Sequence, residues 1–334
     1  MPLAKLFAIS ICLLAGVTGV SAVAISRSVK MPGQSFAGAR PAPTEELQQI
    51  ESILRKDLTM LSVTIGPRPR WSADKLTESV AYIKKEMETT GGKVEVQKYT
   101  LDGIEYENVE LTIPGKSDEV VVVGAHYDTV EGCPGANDNG SGVVAMLELA
   151  RYFGKHPQER TLKFVAFANE EFYFRTEGMG SCRYVWRLNK TKELKKVVAM
   201  LSLETIGYFS EKPGSQACPP PFGSFYPDKG NFISFISTDK ARDLVKKSVA
   251  SFRNSGVPMP SEGLAAPKQV PGVDWSDHLY FLKHNVPALM VTDTAPYRYP
   301  YYHKAEDTID KLDLAGTALV VQGMKTVIAD LASK

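Results

Sequence analysis

The chain has 334 residues, 39 Lys+Arg against 38 Asp+Glu for a net charge of +1, 43% hydrophobic and 23% charged. Those values exclude a disordered, collagen-like or heptad-repeat chain, and with no Lys/Arg run they leave nothing to hold a phosphate backbone, so no nucleic-acid partner is expected. Four cysteines without a C-x-x-C pair exclude a zinc ribbon and a disulfide-stapled mini-protein.

Lys5 precedes an apolar run from Leu6 to Ile25, and Ala22-Val23-Ala24 has the small-x-small form that signal peptidase cuts. Residues 1–25 therefore read as a secretory signal peptide or an uncleaved anchor, because about 20 apolar residues also span a bilayer. Either way the folded part is expected outside the cytoplasm, periplasmic or extracellular, with membrane contact only through such an anchor. Residues 26–43 are aperiodic, contain Ser, Pro and Gly, and read as a linker. Export permits one disulfide among Cys133, Cys182 and Cys218. Cys182–Cys218 is the expected pair, since Cys133 falls in a loop with chemistry to perform, and three unpaired thiols are the alternative.

Helix and strand periods alternate from Thr44 onward. Leu47, Ile50, Leu54, Leu58 and Leu61 recur at helical spacing, as do Leu76, Val80, Ile83 and Met87, with Ser72 as the N-cap and Gly91-Gly92 as the stop. Val109, Leu111 and Ile113 alternate as in a half-exposed strand, and the run Val120 to Val123 suits a strand buried on both faces. A helix over Val143 to Phe153 follows, then strands over Thr161 to Ala168, Val197 to Leu203, Asn231 to Thr238 and Ala288 to Thr292. A closing helix carries Val320, Met324, Val327, Ile328 and Leu331. This order predicts one three-layer α/β domain over residues 44–334, its central sheet mostly parallel but mixed by early hairpin-like strands, with helices on both faces.

In open α/β sheets the chemistry lies beyond the carboxyl ends of the strands. Past the first buried strand come His126 and Asp128, where the carboxylate is placed to orient the ring. Gly135 to Gly142 then spells GANDNGSG at the start of a helix. A calcium loop counted from Asp138 would need Glu at its twelfth position, which is Leu149, and a nucleophile elbow would need Gly where Asn139 stands. Past the next strand are Glu170 and Glu171, adjacent carboxylates that point to opposite sides and can do different work. Glu204 stands one residue past a third strand, and His303 follows Pro300-Tyr301-Tyr302 ahead of Asp307. No His is followed by Glu, so H-E-x-x-H is absent. Jointly His126, Asp138, Glu171, Glu204 and His303 supply two imidazoles and three carboxylates, what two neighbouring Zn²⁺ ions need if one carboxylate bridges them. Two sequons occur, at Asn139 and Asn189; a glycan on Asn139 would block this loop.

The segments GAHYDTV, PGANDNGSG, ANEE, LSLETIGY, DWSDH and YYHKAEDT, in this order, resemble metallopeptidase family twenty-eight, the zinc-dependent exopeptidases, over residue 45 to the end. The resemblance implies a two-zinc site with those five ligands, Asp138 as the bridge, Glu170 as general base and Asp128 as the orienting acid. It implies an aminopeptidase acting on peptides with a free N-terminus, with Tyr208, Asp277, His278 and Tyr302 as candidates for lining the pocket or stabilising the oxyanion. Many members carry Asp where this chain has Glu204, which is longer by one methylene and bears on the second metal. Three other readings stay open. A glutaminyl cyclase-like acyltransferase would not need His126. A dipeptide or carboxypeptidase-type hydrolase would need a cationic patch, for which Arg175, Arg183 and Arg298 are unassigned. A receptor-like module would be marked by lost ligands, and none is lost.

Overall fold

The computed structural model describes residues 25–333, so the expected signal or anchor segment lies outside the described residues up to position 24. Thr44 caps helix α1 (Glu45–Thr59) by accepting from the Leu47 N–H at 3.3 Å, and Ile50, Leu54 and Leu58 face the core. Helix α2 (Ala73–Glu88) starts after Ser72, whose hydroxyl makes no capping bond. Then follow β1 (Lys93–Leu101), β2 (Ile104–Ile113), β3 (Ser117–His126), α3 (Gly142–Lys155), β4 (Arg160–Phe167), α4 (Gly180–Lys190) and β5 (Val197–Glu204). The chain ends through β6 (Ile233–Thr238), α5 (Arg242–Asn254), β7 (Ser261–Ala266), α6 (His278–Lys283), β8 (Ala288–Thr292), α7 (Ala295–Arg298) and α8 (Leu314–Ala332).

All eight strands form one sheet in the order β1-β2-β4-β3-β5-β8-β6-β7. The pairs β3–β4, β3–β5, β5–β8 and β6–β7 are parallel, whereas β1–β2, β2–β4 and β6–β8 are antiparallel. The expected mixed, mostly parallel sheet with helices on both faces is the architecture found. β3 shows why: Val121 and Val123 join the larger core, and Val120 and Val122 a second core under α4 and α6. A strand buried on both faces must be apolar throughout. Helix α8 is long and apolar enough to cross a membrane, yet 72% of its apolar window is buried within the fold, where it is a core helix.

Four local expectations need correction. β2 is not half-exposed: opposite Val109 and Leu111, Glu110 is buried against Lys163 at 2.5 Å and against Arg187, which covers that face with polar groups instead of water. β1 and β7 were not anticipated; β1 is an edge strand of alternating charge, paired with β2 across the Asp102-Gly103 hairpin, and β7 (SEGLAA) has low intrinsic strand preference. Cys133, Cys182 and Cys218 are free thiols. The expected Cys182–Cys218 bridge does not form, because Cys182 sits in the second core while Cys218 packs on a separate cluster of Phe222, Leu264, Ala266 and Val273. Finally, the stretch read as a linker is docked. Ser35 Oγ accepts from Ser261 N (2.9 Å) and donates to Ser261 O (3.0 Å), Arg253 donates to the carbonyls of Pro32 and Gly33, and Arg40 pairs with Asp313.

Candidate metal centre

β4, β3 and β5 lie side by side and parallel, so their carboxyl ends deliver side chains to one place. His126 is the last residue of β3, in register with Phe167 of β4, and Glu204 is the last of β5. Left-handed backbone at Asn169 (φ 59°), Thr205 (φ 49°) and His303 (φ 59°) turns the chain sharply beside three of these positions. Such residues cost about 1–3 kcal/mol each and persist where the surroundings over-determine them, as at functional sites.

Asp138 stands between two donor sets. Its Oδ1 is 3.4 Å from His126 Nε2, which is 3.3 Å from Glu204 Oε2; its Oδ2 is 3.1 Å from His303 Nε2, which is 3.2 Å from Glu171 Oε2. Zinc–ligand bonds of about 2.0–2.2 Å in a tetrahedral shell set neighbouring donors about 3.3–3.6 Å apart. The observed separations are close to that spacing on both sides. Donor atoms of His126, Asp138 and Glu171 all lie within 4.8 Å of one another. Glu171 Oε1 is buried without a hydrogen-bond partner among the described residues, which a fold tolerates when something else satisfies the oxygen. These residues fit a divalent metal centre.

The electrostatics agree. Burial opposes charging His126, yet Glu204, Asp128 and Asp138 hold its pKa well above the ordinary imidazole range. Burial also opposes charge on His303, but Asp138 and Glu171 push it up to about 10. Asp138, despite burial, is held low by the two histidines, while burial and then Asp138 raise Glu171 to about 8. Burial lifts Glu170 well above the carboxylate range, with Glu204, Glu171 and Asp277 adding to it and His126 opposing.

A stability prediction follows for metal-stripped protein. The raised His303 pKa contributes stability that is complete below 6.5 and is lost as pH rises through about 10. The melting-temperature difference between metal-stripped wild type and His303→Ala should therefore shrink steadily over that window; a difference that widens with pH would reverse the assigned sign.

A surrounding network fixes the donors. Asp128 accepts from the N–H of Glu170 (3.0 Å) and of Glu171 (3.1 Å), while its carbonyl lies 3.2 Å and its carboxylate 3.5 Å from His126 Nδ1. Asp307 accepts from the N–H of Asn137 (2.8 Å) and Asp138 (3.0 Å), tying the metal loop to the segment that carries His303. Gly135, at φ 63°, has no room for a Cβ, which would lie 2.3 Å from Thr129 Cγ2 and 2.6 Å from Asp138 O. Asn139 is buried and donates to Leu203 O (2.8 Å) and Glu204 Oε2 (3.3 Å), so its sequon is coincidental, whereas Asn189 is exposed.

Sequence reasoning passed over several of these groups. Arg68 is fully buried, and its guanidinium donates to the carbonyls of Leu61, Gly66, Tyr127, Pro134 and Gly135, stitching the end of the first helical segment to the metal loop. Ser276 donates to Glu204 Oε2 at 2.7 Å, and Asp293 accepts from Asn137 Nδ2 (2.9 Å) and the Tyr208 N–H (2.8 Å). Within DWSDH the serine thus reaches the donor set. Asp277 is buried facing it, its carboxyl pushed up to about 7 by burial. His278 does not join: it opens α6, its Nε2 lies 3.0 Å from Val273 O, and burial lowers it to about 4. Tyr302 stacks on the His303 ring at 3.8 Å, and its hydroxyl is raised by burial and by Asp138, Glu171, Glu204 and Glu170. Tyr208 packs instead against Tyr299, with ring centroids 5.0 Å apart.

An apolar pocket opens beside the cluster at Glu204 and Tyr302, walled by Phe222, Tyr226, Trp275 and Tyr297 among others, with no Lys, Arg or His in its lining. The three arginines left unassigned do not supply one. Arg175 pairs with Asp274 (2.9 Å and 3.1 Å), Arg298 is buried with its guanidinium on Gln216 and the Phe232 carbonyl, and Arg183 lies over Trp186.

Residues 108–328 match the model of Peptidase family M28. The uncharacterized protein YfbL of Escherichia coli strain K12 is 35% identical over 285 residues, 82% of this chain and 86% of that one. Among solved structures, a zinc aminopeptidase from Bacillus subtilis superposes with TM-score 0.70 at 17% identity, covering 85% of this chain and 95% of that one. A glutaminyl cyclase from an Acidobacteriales bacterium does so with TM-score 0.66 at 22% identity, covering 90% and 99%. The two superpositions speak to the fold alone. The family match and the full-length relative say more: the chain belongs to peptidase family M28 and is a hydrolase.

Proposed function

We propose that this peptidase is a two-zinc aminopeptidase that releases an apolar first residue from a peptide with a free N-terminus. The observation that carries the reading is Asp138, whose two carboxylate oxygens each face a separate histidine–carboxylate pair. His126, Asp138 and Glu204 would hold one ion, and His303, Asp138 and Glu171 the other. Glu204 reaches its place despite the added methylene because Asn139 and Ser276 hold Oε2. Zinc bound there supplies Lewis acidity to the scissile carbonyl and brings the pKa of water towards about 7.

The chain's own groups do the rest. Glu170, kept basic by burial, takes a proton from the attacking water and passes it to the leaving amine. Tyr302, whose hydroxyl stays protonated, donates to the carbonyl oxygen as negative charge develops there. Carboxylates outnumber imidazoles around the site, which favours a cationic substrate terminus. The cation-free pocket takes an apolar side chain and offers nothing to a terminal carboxylate, which argues against the carboxypeptidase alternative. With both donor sets complete, neither a receptor-like module nor a cyclase that dispenses with His126 is favoured. If residues 1–25 act as the export segment their sequence suggests, the activity lies outside the cytoplasm.

A panel of fluorogenic aminoacyl amides, run beside N-blocked peptides with and without chelator, tests this. Leu, Met and Phe amides should be cleaved, and Glu and Lys amides about 10²-fold more slowly, because an unpaired charge in an apolar pocket costs several kcal/mol. Blocked peptides should resist, and chelator should abolish turnover. Ammonia released from an N-terminal Gln peptide with no free amino acid would replace hydrolysis by cyclisation.

A further inference from the structure

Directly after Glu171 the chain places an aromatic side chain in solvent. Phe172 is 56% exposed and meets Trp71, 49% exposed, edge to face with ring centroids 5.8 Å apart. Scattered exposed apolar residues are ordinary, but these two are held as a unit. The Arg70 guanidinium carbon lies 4.0 Å from the Phe172 ring centroid and 5.0 Å from that of Tyr173. Arg70 is itself fixed, by Asp102 at 3.3 Å and through its carbonyl by Tyr106 Oη at 3.1 Å, and Tyr173 donates to the same Asp102 at 2.6 Å. Arg68, two residues before Arg70, ties this segment to the metal loop. The result is a rigid aromatic step at the edge of the donor cluster.

Its position relative to the pocket gives it a role. The pocket meets the cluster at Glu204 and Tyr302, and none of Glu170, Glu171, Phe172 or Trp71 lines it. In an amide the first residue's side chain and the leaving nitrogen lie on opposite sides of the carbonyl carbon. A first residue seated in the pocket therefore sends the leaving segment away from it, and Glu171 with the adjoining Phe172 lies outside the pocket lining.

We propose that Trp71 and Phe172 form a binding site for the second residue of the substrate, with an aromatic side chain as its preferred occupant. Stacking on a ring pair preorganised by the Arg70 cation–π contact adds offset or edge-to-face contact to plain burial. The inference rests on the aminopeptidase reading and adds its second subsite.

The test is a series Leu-Xaa-amide with Xaa as Gly, Ala, Leu or Phe, measured on the zinc-loaded full chain. Wild type should favour Phe over Gly by about tenfold in kcat/KM, mostly through KM, the size of effect that one aromatic contact with its burial supports. In Phe172→Ala and, separately, Trp71→Ala, the Phe-to-Gly ratio should fall towards one; because each variant is its own reference, a general loss of activity does not mimic the effect. Brisk cleavage with a flat series in wild type, or a ratio kept in both variants, overturns the site and leaves the aminopeptidase standing. No cleavage of any member overturns both.

Discussion

Glu170→Gln is expected to keep the fold and both metals while lowering kcat by about 10²–10⁴-fold, the usual worth of a positioned general base. The reason lies in which part of Glu170 the structure uses. Asp128 holds its backbone N–H, and the five donors belong to other residues, so the amide leaves the scaffold untouched. What is lost is a carboxylate that burial and three neighbouring carboxyl groups keep well above the ordinary range, as a proton shuttle near neutral pH requires. Gln has the same shape and places no charge in this buried site, so the variant should melt no lower than wild type. Zinc content, melting temperature and kcat on a Leu amide are the three readouts. Activity within tenfold of wild type would remove Glu170 from the proposed role.

Asp138→Ala should instead strip metal and activity together. The two donor sets share only this side chain, and without it each is left with one imidazole and one carboxylate, too few to close a zinc shell. Loss of an outer hydrogen-bond partner alone costs about 10–100-fold, so deletion of a ligand common to both ions should cost more than about 10²-fold in metal affinity and activity. Direct metal analysis after dialysis decides the matter. Retention of two zinc ions per chain would mean that another group bridges them. The contrast between the two variants is the strongest check on the site, because one separates chemistry from metal binding and the other joins them.

Much of this was legible in the chain itself, for a physical reason. A strand buried on both faces must be a continuous apolar run, so the first polar residues beyond it stand out. Val120–Val123 leads to His126, Thr161–Ala168 to Glu170 and Glu171, and Val197–Leu203 to Glu204. The calcium and nucleophile-elbow alternatives fell to single residues, Leu149 and Asn139. Where the reading failed, local pattern and tertiary role had parted. Asp277 and His278 read as candidates for the pocket or the oxyanion, but the start of α6 turns His278 to the Val273 carbonyl, and Ser276 makes the contact with Glu204. Glu110 looked solvent-facing, and Lys163 and Arg187 bury it.

The order of apolar runs, and the donor type that follows each, is a property of the linear chain, and it determined the central strands of the sheet and the chemical kind of site expected beyond them, though not the edge strands β1 and β7. Folding alone decided the rest: that Asp138 stands between His126, 12 positions before it, and His303, 165 positions after it, that Arg68 clamps the metal loop, and that Trp71 meets Phe172. These contacts join residues far apart in sequence through single side chains, and a single side chain leaves no period to read.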